Sequence, residues 1–281
     1  MDISINGKPA NIILEEESTI KELLAGLDHW LDGTGGRLSG LRIDEREIKS
    51  GELSSIMELT LEGINSVDIR ISAHDEIAME ALGELKRFCG LFENASFDER
   101  AELKKNWEES AAKTFLASEI RDLHDLSCSA FNGEGISAND LSFVTDERLR
   151  ELEDPGAELA NIGKPVQEIA GRLTELPLDI QTGKDSRAVE SVQLFSRMGE
   201  KLFRIMQIFQ YRGLSLELFL IEEQPSKVFL NDFGAALREL TAAYENRDAV
   251  LAGDLAEYEL SPRLIKLYTA LCKYSTQGDR K

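Results

Sequence analysis

Histidines, cysteines and clustered carboxylates are the side chains that could do chemistry in this sequence. The three histidines are His29, His74 and His124. His29 stands beside Trp30 near the end of an amphipathic stretch, the context of a solvated histidine at a helix end. His74 is followed by Asp75 and Glu76, and a carboxylate–histidine cluster can hold a metal. The HExxH spacing that places two imidazoles on one helix face is absent, so a charge cluster at a helix start accounts for it better. His124 and Cys128 lie four apart, on one face of a helix, and could supply two metal ligands. A structural zinc site needs four, and no second Cys/His pair exists. Cys89, Cys128 and Cys272 are odd in number, far apart and without a CxxC pair. That pattern argues against a disulfide framework and for a reducing compartment.

Gly33-Thr34-Gly35-Gly36 opens the only glycine-rich run. A phosphate cradle follows a strand and opens a helix, whose N-terminal amides face the anion. This run follows a helix, enters a strand and lacks a GK[ST] ending, so it reads as a helix stop. No GxSxG, Cys/His nucleophile arrangement or DxDxDG loop occurs. Carboxylates are so abundant that any acid/base pair chosen among them would be arbitrary. No catalytic, cofactor-binding or metal-ligating residue is therefore assigned, and enzymatic activity is not expected.

The elements that carry these residues change character after about seventy positions. Asp2–Ile5 and Ala10–Leu14 read as short strands around Asn6-Gly7, a pair that tolerates the positive φ of a tight hairpin. Thr19 and Glu22 have capping-box spacing and open a helix through about Trp30, with Leu23, Leu24, Leu27, Trp30 and Leu31 on its apolar face. Leu38–Ile43 suits a third strand, followed by a turn at Asp44-Glu45 and a short run at Arg46–Ile48. Val67, Ile69 and Ile71 alternate with Asp68, Arg70 and Ser72, the pattern of a half-buried strand. In order and length, residues 1–72 resemble the β-grasp (ubiquitin-like) fold. Members of that fold that conjugate or carry sulfur react through a C-terminal Gly-Gly. Here Gly35-Gly36 is internal, so the resemblance implies a fold and no activity.

From His74 the pattern is helical. One helix is expected to Phe92, and a long one from the Ser96–Glu99 capping box towards Phe131. A shorter one starts at Ser137/Asp140. Residues 154–165, with two prolines and two glycines, read as a hinge, with Pro165 in the first turn of the next helix. Pro177 begins a loop to a central helix over about 186–213, where Val192, Phe195, Met198, Leu202, Ile205 and Phe209 recur at steps of three and four. Its apolar surface widens from Leu202 onward, so other helices should surround it. Lys201, Arg204 and Arg212 are expected to bury their stems and reach solvent or a carboxylate. A last helix to Tyr274 is kinked or restarted at Ser261-Pro262, and only the tail after Tyr274 is expected to be disordered. Leu85–Asn94 and Leu237–Asn246 echo one another in spacing, by duplication or by convergence. The expected fold class is α+β: a small β-grasp-like domain (1–72) followed by a larger all-α helical-bundle domain (73–281).

Length and composition set the remaining bounds. The 281 residues are 42% hydrophobic and 30% charged, as in globular domains. The net charge of −20 is uneven: residues 1–73 carry 14 acids and 7 bases, 74–153 carry 19 and 9, and 154–281 carry 19 and 16. Such a field repels nucleic acid and anionic membranes and favours basic partners. The N-terminus shows neither a basic n-region nor an apolar h-region. No apolar run approaches the roughly 18–20 residues of a membrane span. A cytoplasmic location is expected.

These observations point to a non-enzymatic protein-interaction module, an adaptor, scaffold or chaperone-like protein, whose partner is a protein with a basic or helical segment. The alternative is a small-molecule-binding or catalytic protein with its site in an interdomain cleft. A homo-oligomer follows if the central helix is more apolar than one chain can cover.

Overall fold

The computed structural model describes residues 1–10, 12, 17–31, 36–48, 52–246 and 248–278. The chain is α+β: a small N-terminal β-sheet region precedes a larger helical region. By compactness it divides into Met1–Leu149 and Arg150–Lys281. This division differs from the expected domains 1–72 and 73–281.

The first unit opens with strands β1 (Asp2–Ile5) and β2 (Lys8–Pro9), helix α1 (Ile20–Leu31), strands β3 (Gly36–Ile43) and β4 (Arg46–Ile48), helix α2 (Leu53–Ile56) and strand β5 (Ser66–Ala73). They form one five-stranded mixed sheet in the order β2-β1-β5-β3-β4. β1 runs parallel to β5, with Ile3 opposite Val67 and Ile5 opposite Ile69. β3 is antiparallel to both β5 and β4. Both two-residue turns have the positive φ their hairpins demand: Asn6 (52°) with Gly7 (71°), and Asp44 (46°) with Glu45 (66°). The expected capping box is in place, Thr19 Oγ1 accepting from Glu22 N at 3.3 Å and Glu22 Oε2 accepting from Thr19 N at 3.1 Å. It aims Ile20, Leu23, Leu24 and Leu27 into a core with Ile3, Leu41, Val67 and Ile69. The expected second strand, Ala10–Leu14, and Gly33–Gly35 lie wholly or partly outside the described residues.

β5 passes directly into α3 (His74–Asn94), followed by α4 (Phe97–Glu108), α5 (Ala111–Glu119), α6 (Arg121–Asn132) and α7 (Ala138–Glu153). The single long helix expected from Ser96 to Phe131 is thus three. Ser110 caps α5, its Oγ accepting from Lys113 N at 3.1 Å. Ile120, at φ −134° and ψ 64°, breaks the helical backbone before α6. The breaks let α4 and α6 fold back so that Trp107 (1% exposed) meets Phe88 and Phe131, ring centroids 5.2 and 5.6 Å apart.

The second unit contains α8 (Pro155–Thr174), α9 (Leu176–Gln181) and α10 (Asp185–Tyr211), then a small hairpin of β6 (Leu220–Ile221) and β7 (Gln224–Pro225). Helix α11 (Ser226–Glu245) and helix α12 (Ala249–Asp254) follow, and a π-helical turn (Leu255–Leu260) leads into α13 (Ser261–Gly278). The hinge expected at 154–165 is helix from Pro155 onward. Asp154 Oδ1 caps it through Ala157 N at 2.8 Å, and Pro165 lies inside the helix, not in its first turn. Part of the expected loop after Pro177 is α9, and α13 continues past Tyr274, where disorder was expected. The proline at 262 lacks the N–H for an α-helical bond, and the chain absorbs this as a π turn without ending the helix.

Helix α10 holds the centre of this unit. Phe195, Met198, Leu202, Ile205 and Phe209 are buried against residues of α8, α11 and α13. Helices α8 and α13 approach closely because Gly156 and Gly163 carry no side chain. A Cβ there would come within 2.6 Å of Ser275 Oγ and Tyr268 Oη, respectively.

Candidate interaction grooves

Of the histidines and cysteines singled out by the sequence, the structure brings His124 and Cys128 together. His29's side chain lies outside the described residues. His74 opens α3 beside Asp75 and Glu76, as expected, and its ring is buried there, 8% exposed and 5.7 Å from Phe115. Burial pushes its pKa down, Arg37 adds to this, and Glu119 and Asp75 oppose it. His124 Nε2 lies 3.7 Å from Cys128 Sγ, and its Nδ1 lies 2.9 Å from Asp125 Oδ1. Among the described residues no group of three or more His, Cys, Asp or Glu could hold a metal ion. Cys89 is buried, and burial pushes its thiol up to about 12, so it is inert at neutral pH.

The basic residues of α10 do find carboxylates. Arg204 donates from Nε and Nη2 to the two oxygens of Glu151, at 2.9 and 2.8 Å. Lys201 Nζ reaches Glu158 Oε2 at 2.9 Å and Glu151 Oε1 at 3.5 Å. Glu151, Glu158 and Lys201 are all buried. Arg212 is exposed, as expected, and its guanidinium also donates to the Leu152 backbone carbonyl. This network ties the end of α7 and the start of α8 to α10. None of its members lines either groove described next, so its role is to hold helices together.

Two half-open grooves are better placed to bind something. The first, about 470 Å³, lies between the end of α3 and α4 in the first unit, with Leu91, Asn94, Glu99, Glu102 and Leu103 on its walls. Its corner is built locally. Asn94 Nδ2 donates to Gly90 O at 2.8 Å. Arg100 Nε donates to the carbonyls of Phe92 and Ala95 at 3.1 and 3.2 Å. Glu99 Oε2 accepts from Ser96 N (2.7 Å) and Oγ (2.6 Å), which holds its carboxyl below the usual range. The corner leaves Leu91, on the groove wall, 44% exposed. Glu102 is exposed and makes no ion pair among the described residues.

The second groove, about 590 Å³, lies in the second unit between the 213–222 segment and α13. Phe219 and Ile221 turn inward, at 8% and 0% exposure, whereas Leu218 and Leu220 turn outward, at 83% and 53%. Ser226 anchors the segment, its N donating to Phe219 O at 3.0 Å and its Oγ to Leu216 O at 2.7 Å. Sequence reasoning named neither groove. The seven-residue spacing of Lys266 and Lys273 and the Leu218/Leu220 alternation were readable signals. Neither reveals a concavity before the chain is folded.

Residues 1–73 match the family model described as TP0873 N-terminal domain, and the match ends where β5 ends. Residues 159–270 match a family model described as a domain of unknown function (DUF8042). That span runs from α8 into α13 and includes most of the second groove, whereas the first groove lies between the two spans. No curated protein and no solved structure matches the chain. Among the described residues no helix is long and apolar enough to cross a membrane.

Proposed function

We propose that this protein is a cytoplasmic, non-enzymatic interaction module, of adaptor, scaffold or chaperone-like kind, that binds basic amphipathic segments of protein partners along the α3–α4 groove. One observation carries this reading: Leu91 stands 44% exposed on a groove wall that also holds Glu99 and Glu102, and Glu102 makes no ion pair among the described residues. Covering the exposed part of such a side chain is worth about 1 kcal/mol. A helix laid along the groove would cover Leu91 and Leu103 with its apolar stripe and set flanking cations beside Glu99 and Glu102. The surrounding charge favours a basic partner, since residues 1–149 carry 31 acids and 15 bases while 150–281 carry 21 and 17. That field raises association rates with cations and repels nucleic acid and anionic lipid surfaces.

The first 73 residues fit the same reading as a β-grasp fold. The strand order β2-β1-β5-β3-β4, with parallel central strands and α1 on one face, supports it. It serves here as a stable platform from which β5 launches α3.

The test uses fluorescence anisotropy of the full chain with a labelled 14-residue peptide. The peptide has leucines at helical spacing and flanking lysines, and a scrambled peptide of equal composition is the control. Saturable binding should weaken about tenfold in Leu91→Ser and in Glu102→Lys. It should also weaken between low and 0.3 M salt, with circular dichroism unchanged. Equal binding of the scrambled control, or indifference to both substitutions, would contradict the proposal.

A further inference from the structure

The second groove has the opposite electrostatic character from the first. We infer that the groove between residues 213–222 and α13 binds a helical protein segment with an apolar stripe flanked by carboxylates. The inference shares with the proposed function only the premise that the protein binds polypeptide. It stands on different residues.

Charge complementarity on a shaped surface selects this partner. Lys266 and Lys273 are seven residues apart on α13, two turns along one face and about 10 Å in rise. Thr269 and Ala270 lie between them as a low floor. Lys266 Nζ is paired with Glu222 Oε2 at 2.8 Å, while Lys273 is exposed and makes no ion pair among the described residues. Among the described residues Glu222 is the only acid lining the groove, so these lining residues sum to +1 in a chain of net charge −20. A carboxylate near Lys273 gains attraction there that most of this surface would deny it.

The opposite wall explains the apolar stripe. Leu218 and Leu220 project outward from a segment fixed by buried Phe219, which packs edge-on to Tyr274 with centroids 6.0 Å apart. The turn after them holds Glu222 at φ 50° and Glu223 at φ 67°, conformations that cost non-glycine residues energy. The Glu222–Lys266 pair joins that strained turn to α13, so the wall stands in place before any ligand arrives. A fatty acid or other small carboxylate would bury itself in the groove and leave Leu218 in water. A helix laid across the lip would cover it.

The experiment uses the full chain and two labelled 14-residue peptides with the same leucine stripe. One carries glutamates at positions i and i+7, the other lysines, and binding is read by fluorescence anisotropy at low salt. The glutamate peptide should bind saturably and lose about tenfold in affinity in Lys273→Glu and about fivefold in Leu218→Ser. Leu218→Ser should leave the lysine peptide within about twofold, and Leu91→Ser should leave the glutamate peptide within the same margin. Circular dichroism and melting temperature confirm that each variant is folded. The inference is overturned if the glutamate peptide does not bind, if it ignores both Lys273→Glu and Leu218→Ser, or if decanoate binds saturably where the peptide fails. Each of those results leaves the α3–α4 reading to stand or fall on the lysine peptide.

Discussion

At the scale of single residues, burial decides behaviour more than identity does. His74 follows an exposed-looking context, Ser72-Ala73 before it and Asp75-Glu76 after it, yet its ring is packed beside Phe115. Its folded pKa lies below its unfolded value, chiefly through desolvation. The folded state therefore takes up a proton less readily than the unfolded chain, and acid favours unfolding. The His74 contribution is intact above about pH 6.5 and is lost as pH falls through the lowered folded value. The depressed carboxylates Glu22, Asp68, Glu99 and Glu190 act in the same direction, but only in more acid solution, below about pH 4. Urea midpoints should thus fall between pH 7.5 and 5.5 for the native chain and fall less for His74→Phe. An equal fall in both would exclude His74 as the source. The sequence could not show this burial, because Phe115 comes from a helix whose ends are set by Ser110 and Ile120.

Among the elements, the buried ion-pair network carries the most consequence for stability. Glu151 is 1% exposed and accepts both donors of Arg204. Removing one partner of a buried pair leaves an uncompensated charge and costs about 3–5 kcal/mol, whereas replacing both with apolar groups is often close to neutral. Glu151→Ala should therefore destabilise the second unit by about that amount in urea titration, and Glu151→Met with Arg204→Met by much less. A Glu151→Ala variant as stable as the parent would show that the network carries no load. Local codes made several elements legible beforehand: Asn6-Gly7, the Thr19–Glu22 box, the β5 alternation and the α10 stripe. The failures were at helix ends. Ser110 inside an otherwise periodic stretch, Pro165 inside α8 and Pro262 after a π turn all depend on tertiary packing that overrides a local preference.

For the molecule as a whole, charge is divided unequally along the chain, and the two apolar grooves follow that division. The first unit is strongly acidic and its groove is edged by Glu99 and Glu102. The second is nearly balanced, and its groove is edged by Lys266 and Lys273. The charge asymmetry is plain in the sequence. The grooves are not, because each joins residues brought together only by folding, α3 with α4 in one and the 213–222 segment with α13 in the other. The central claim is that the α3–α4 groove receives basic amphipathic segments. Hydrogen-exchange mass spectrometry of the full chain, with and without a saturating lysine-flanked peptide at low salt, tests this most directly. The account predicts new protection concentrated in residues 90–106. Protection elsewhere alone, or none at all while the peptide is bound, would contradict it.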